Sequence, residues 1–83
     1  MDKETAQPVT MYSTSWCGYC IRLKRQMEEA GIAHRVIDVD QESGYDERII
    51  AATGGYRVVP TLEVGGVLLV NPTIREVEAA LAA

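Results

Sequence analysis

Eighty-three residues leave room for one domain, because a chain this short buries only about 60–65% of the surface its unfolded form exposes. A hydrophobic content of 47% with 24% charged residues excludes disorder and low complexity, and the longest apolar runs, such as Val67 to Val70, exclude a membrane span. The net charge of −4 speaks against nucleic acid as a partner.

The opening MDKETAQP has no apolar core behind a basic start. It reads as a polar tail over residues 1–7 ahead of a single domain over residues 8–83, not as a signal peptide, so a cytoplasmic address and a monomer are expected. PVTMYS, from Pro8, is a short extended run and predicts a first strand ending near Ser13. Leu23, Met27 and Ala30 then fall on one helical face that continues back through Cys20 and stops at Gly31, a helix of roughly Gly18 to Ala30. HRVIDVD predicts a second strand, its Val36, Ile37 and Val39 dense enough for burial on both faces. A helix of this length between two strands implies a right-handed βαβ unit and parallel pairing.

YDERIIAATGG has acids in its first turn, apolar Ile49, Ile50 and Ala52, and a Gly54-Gly55 end, the pattern of a short second helix. TLEVGGVLLV is two short strands around Gly65-Gly66, a two-residue hairpin signal. Thr73 and Glu76 stand at capping-box spacing ahead of Ile74, Val77 and Leu81 on one face, which predicts a closing helix. The order is βαβαββα: an α/β domain with a four-stranded mixed sheet flanked by three helices.

Both cysteines lie in SWCGYC, as Cys17 and Cys20. In a reducing compartment such a pair is catalytic or metal-binding rather than a structural disulfide. A closed zinc site needs four ligands, and the chain offers these two and one histidine, His34, so no metal site is expected from the chain alone. Position favours redox chemistry. Cys17 falls where the first strand gives way to the helix, and there unpaired N–H groups and the helix dipole favour thiolate over thiol. Cys17 is therefore expected to be the nucleophile and Cys20, one turn deeper on the same face, the resolving thiol. Of their neighbours, Tyr19 is expected to line a groove, Trp16 to stay open, and Arg22 to add positive potential near the sulfur. Asp38, Asp40, Glu42, Asp46 and Glu47 read as a solvated acidic face. VVPT, Val58 to Thr61, sets Pro60 at the entry of the third strand, where a proline is tolerated. A cis linkage would leave the Val59 backbone groups open to a substrate backbone; on sequence alone a trans proline at a loop exit is the more ordinary outcome.

This order, with C-x-x-C in the first βα turn and Val-Pro before the third strand, resembles the thioredoxin fold in its small glutaredoxin form, from about Val9 to Leu81. TMYSTSWCGYCIRLKRQM, GGYRVVPTLEV and NPTIREVEAAL are similar, more narrowly, to the mycoredoxins, glutaredoxin-like oxidoreductases of actinobacteria that work with mycothiol. The resemblance implies Cys17 as nucleophile, Cys20 as resolving thiol and Pro60 as a cis-proline facing them. It also implies a thiol-binding groove lined by Tyr19, Arg57, Val59 and the Asn71-Pro72-Thr73 turn. Glutaredoxins commonly carry a lysine at the position of Thr14 and an aspartate at that of Thr73, both of which hold glutathione; the two threonines depart from that pattern. The activity implied is reduction of mixed disulfides between mycothiol, as reducing co-substrate, and protein or small substrates, with no bound cofactor. Two other classes fit the same family: a general protein-disulfide reductase or electron donor, as for ribonucleotide reductase, and a [2Fe–2S] carrier in which two chains each lend Cys17 and external thiols complete the ligands.

Overall fold

In the computed structural model, which describes residues 9–83, the elements follow the expected order: β1 (Val9–Ser13), α1 (Gly18–Glu29), β2 (His34–Asp38), α2 (Asp46–Thr53), β3 (Thr61–Val64), β4 (Val67–Val70) and α3 (Ile74–Ala82). The expected tail over residues 1–7, and Pro8, lie outside the described residues. The strands form one mixed sheet in the order β2-β1-β3-β4, with β1 parallel to β2 and antiparallel to β3, and β4 antiparallel to β3. This is the thioredoxin fold. Among the described residues no helix is long and apolar enough to cross a membrane.

Strand alternation sorts the side chains into two cores. Val9 and Met11 of β1, with Leu62 and Val64 of β3, face α1 and α3, where they meet Leu23, Met27, Val77 and both cysteines. Tyr12, one residue out of step with Met11, turns to the other face and packs with Ile37, Val39 and Ile49 under α2. Met11, Met27, Ile49, Leu62 and Val77 are completely buried, so the centre of the sheet is covered on both faces.

The turns follow local chemistry. Helix α1 ends in a Schellman motif: Ile32 N–H donates to Met27 C=O at 2.9 Å and Gly31 N–H to Glu28 C=O at 3.2 Å, with Gly31 at φ 72°. Gly65 and Gly66, at φ 57° and 85°, supply the two positive φ angles that a tight hairpin between Val64 and Val67 requires. The expected capping box on α3 is present, with Thr73 Oγ1 accepting from Glu76 N–H and the Glu76 carboxylate accepting from Thr73 N–H.

One expectation about burial is corrected. Val36 is 38% exposed, because β2 takes the edge of the sheet and only its Ile37 side is covered. In α2 only Ile49 is buried, whereas Ile50 and Ala52 face outward on a helix too short to be covered on two sides.

Candidate active site

The turn after β1 is closed by Cys17 N–H donating to Thr14 C=O at 3.4 Å, which delivers Cys17 to the N-cap of α1. A cysteine there takes the place of the usual Ser, Thr, Asp or Asn. Its sulfur accepts from the Cys20 N–H at 3.1 Å, satisfying one of the orphan donors of the first turn. No acidic residue occupies that turn, so nothing in it opposes negative charge on the sulfur. From the other side the Val59 carbonyl oxygen lies 3.7 Å from Cys17 Sγ and accepts from the thiol. The Val59–Pro60 peptide is cis, as the family resemblance implied and against the more ordinary trans outcome read from the sequence alone.

Both cysteines are free and buried. Cys17 is only 5% exposed, because helix α1 and the Val59 carbonyl close over it. Burial first, then the Cys17 sulfur, push the Cys20 thiol up from 9.0 to about 12, although backbone N–H groups partly offset this. The two sulfurs thus differ in kind. Cys17 has a helix terminus and an N–H donor aimed at it, and Cys20 is held as a neutral thiol behind it.

A groove of about 300 Å³ begins at Pro60 and Tyr19. Arg22, Leu23 and Gln26 of α1 form one wall, and the Asn71-Pro72-Thr73 turn with Ile74 forms the other. The second wall is tied to the cis-proline, because Asn71 N–H donates to Pro60 C=O at 2.8 Å; Asn71 takes a left-handed φ of 48°, which asparagine tolerates. Arg22 is the only charged residue in this lining, and among the described residues it makes no ion pair.

Of the residues expected around the thiols, Tyr19, Arg22, Pro60, Asn71, Pro72 and Thr73 come together in the groove, and the Val59 carbonyl meets the Cys17 sulfur. Three are placed elsewhere. Thr14 is buried, its hydroxyl unpartnered among the described residues, beside a separate cleft that it shares with Cys20, Lys24 and Asp38. Trp16 is 69% exposed, as expected, but its Nε1–H donates to Asp40 at 2.9 Å. Arg57 turns away from the groove to Asp40, at 2.8 Å, and Asp46, at 3.0 Å. Asp40 and Asp46 were read only as part of a solvated acidic face. The pairing spans 11 residues in one case and 24 in another, beyond any local spacing rule. His34 is occupied at the start of β2, its Nδ1 2.9 Å from Ile32 C=O.

A thioredoxin-type sheet, a dithiol at its first strand-to-helix turn and a cis-proline carbonyl neighbour facing the outer sulfur define a thiol–disulfide oxidoreductase. The chain matches the Glutaredoxin family model over residues 9–69. It is 40% identical over 74 residues to a glutaredoxin-type protein of Mycobacterium tuberculosis, covering 88% of each chain. It is 37% identical over 76 residues to Mycoredoxin 1 of Corynebacterium glutamicum, covering 90% of this chain and 94% of that one. Among solved structures, the buckwheat glutaredoxin–glutathione complex superposes with a TM-score of 0.72 at 26% identity, over 95% of this chain and 82% of that one. The chain belongs to the glutaredoxin family.

Proposed function

We propose that this glutaredoxin is a cytoplasmic, monomeric reductase of mixed disulfides between a low-molecular-weight thiol, mycothiol, and protein or small-molecule substrates. The observation that carries the reading is the groove beside Cys17, polar in its Asn71-Pro72-Thr73 wall and carrying a single charge, Arg22. Glutathione presents two carboxylates and an ammonium, and a site built for it would meet them with fixed counter-charges. Mycothiol ends in a neutral glucosaminyl-inositol, whose hydroxyls match Asn71, Thr73 and the Tyr19 hydroxyl. The similarity to Mycoredoxin 1 supports the same choice.

The Cys17 thiolate attacks the small-thiol sulfur of the mixed disulfide. A Cys17–thiol disulfide forms, and the substrate leaves as its thiolate with the electron pair of the broken bond. A second molecule of the small thiol then attacks the small-thiol sulfur of that adduct, which frees Cys17 and yields the symmetric disulfide. In the alternative branch Cys20 attacks Cys17 Sγ, releases the small thiol and closes the Cys17–Cys20 disulfide. That branch requires the Cys20 thiol, which burial holds up in the reduced protein, to give up its proton. Neither branch calls on a bound cofactor.

Steady-state reduction of matched mycothiol and glutathione mixed disulfides, run in parallel, tests the reading. A kcat/KM at least about tenfold higher with mycothiol is expected, a gap of about 1.4 kcal/mol in the transition state. Equal values would overturn the mycothiol assignment and leave a glutaredoxin of broader thiol preference.

A further inference from the structure

The most extended polar contact near the nucleophile lies outside the groove. Trp16, the residue before Cys17, donates to Asp40; Asp40 also pairs with Arg57; and Arg57 reaches on to Asp46 at the start of α2. The chain of contacts therefore joins the turn that carries the thiol to the segment ending at Pro60. Arg57 stands two residues before Val59, whose carbonyl touches the Cys17 sulfur. An unpaired guanidinium on that segment would present a planar fork of N–H donors, the geometry that binds carboxylates. Here its side-on donor pair is occupied, Nη2 by Asp40 and Nε by Asp46, and the bridge carries one cation against two anions. Asp40 is held ionised, its carboxyl kept below the usual range first by the Trp16 N–H and then by Arg57.

We propose that Asp40 and Asp46 are selectivity determinants: by holding Arg57 they deny a substrate carboxylate the cation on the Pro60 side of the thiol, and so set the enzyme against anionic small thiols. This rests on the reading of the site as a reductase of small-thiol disulfides and deepens it. A carboxylate arriving with substrate must displace one that is already tethered in the chain and needs no association step, which puts an incoming anion at a disadvantage. The excess negative charge of the bridge adds repulsion, and the exposure of Asp46 makes that part sensitive to salt. Arg22 lies in the groove wall and is untouched by the bridge, so the discrimination is exerted at the Pro60 side.

The test follows oxidation of the reduced protein by two small disulfides, the neutral bis(2-hydroxyethyl) disulfide and the dianionic 3,3′-dithiodipropionate. Each reaction moves two electrons from the enzyme to the added disulfide, and the readout is the ratio of the anionic to the neutral second-order rate constant. D40N/D46N is expected to raise this ratio at least fivefold at low ionic strength. Adding R57Q to that variant is expected to remove the gain, and 0.5 M salt to shrink it. E42Q, which changes an acid of the same region outside the bridge, is expected to leave the ratio where it is. An unchanged ratio in D40N/D46N, a gain that survives R57Q, or an equal gain from E42Q would each overturn the proposal. Should the double variant fail to fold, D46N alone frees the Nε donor of Arg57 from an exposed position, and the absence of any rise in its ratio has the same force. Mycothiol does not enter this measurement, so the selectivity bridge and the mycothiol assignment stand or fall separately.

Discussion

The two faces of the sheet carry unlike interiors. Under α1 and α3 the packing is apolar and includes both cysteines, so the reacting sulfurs are part of the larger core. Under α2 the apolar cluster is smaller and is edged by polar ties. Tyr12 donates to Glu63 at 3.0 Å, Glu63 meets Arg48 at 2.6 Å, and the Trp16–Asp40–Arg57–Asp46 bridge closes the end nearest the thiol. One face holds the chemistry rigidly in place by excluding water. The other sets charge and orientation through contacts that solvent can reach. Damage to the first is expected to be large in activity or in stability, and damage to the second graded.

The largest effect belongs to Cys17→Ser, which is expected to bring every thiol-exchange activity to background while leaving the fold intact, since serine is also a good N-cap residue. Residual turnover in that variant would place the nucleophile elsewhere. Next, Leu62→Ala on the cysteine face is expected to cost about 4–5 kcal/mol, and Ile49→Ala on the α2 face about 2–3 kcal/mol, because a cluster beside a short exposed helix collapses more easily onto the space left. Urea unfolding of the two variants compares the faces directly. An equal or larger loss at Ile49 would break the contrast.

Cys20→Ser separates chemistry from stability within one face. Turnover of small-thiol mixed disulfides is expected to persist, because the monothiol branch needs only Cys17. The same variant sharpens the pH behaviour. A thiol whose folded value is raised from 9.0 to about 12 contributes stability that is complete below pH 9 and is lost as the unfolded chain ionises above it, up to pH 12. The reduced parent is therefore expected to lose stability more steeply above pH 9 than Cys20→Ser does, as read by unfolding midpoints across that range. The smallest change is Tyr12→Phe, which removes one hydrogen bond at the edge of the α2 core while Glu63 keeps Arg48. A loss of about 1 kcal/mol is expected, with unaltered disulfide turnover.

How much of this was legible in the chain depended on the range of the interaction. Features set by neighbours a few residues apart were readable: the N-cap position of Cys17, the glycine stop at Gly31, the Gly65-Gly66 hairpin and the Thr73–Glu76 capping box. The element order followed from them, and the family resemblance supplied the cis linkage at Pro60 that local rules would have left trans. What required the third dimension was misjudged. Val36 looked like a core residue because the order of strands, which makes β2 an edge, has no local signature. The surroundings of Thr14 and Arg57 were equally out of reach of local rules: Thr14 is buried with its hydroxyl unpartnered among the described residues, and Arg57 is held by two carboxylates from distant segments. The acidic density from Asp38 to Glu47 was noticed, but nothing in its spacing said that two of its members hold an arginine.

Val59 packs its side chain against both hydrophobic clusters while its carbonyl faces the Cys17 sulfur. A new sulfur bonded to Cys17 takes away the thiol proton which that carbonyl accepts, so each turn of the catalytic cycle perturbs a residue keyed into both sides of the sheet. Met27 on one face and Ile49 on the other, both completely buried, are expected to shift together in methyl NMR spectra as the nucleophile passes from thiol to disulfide.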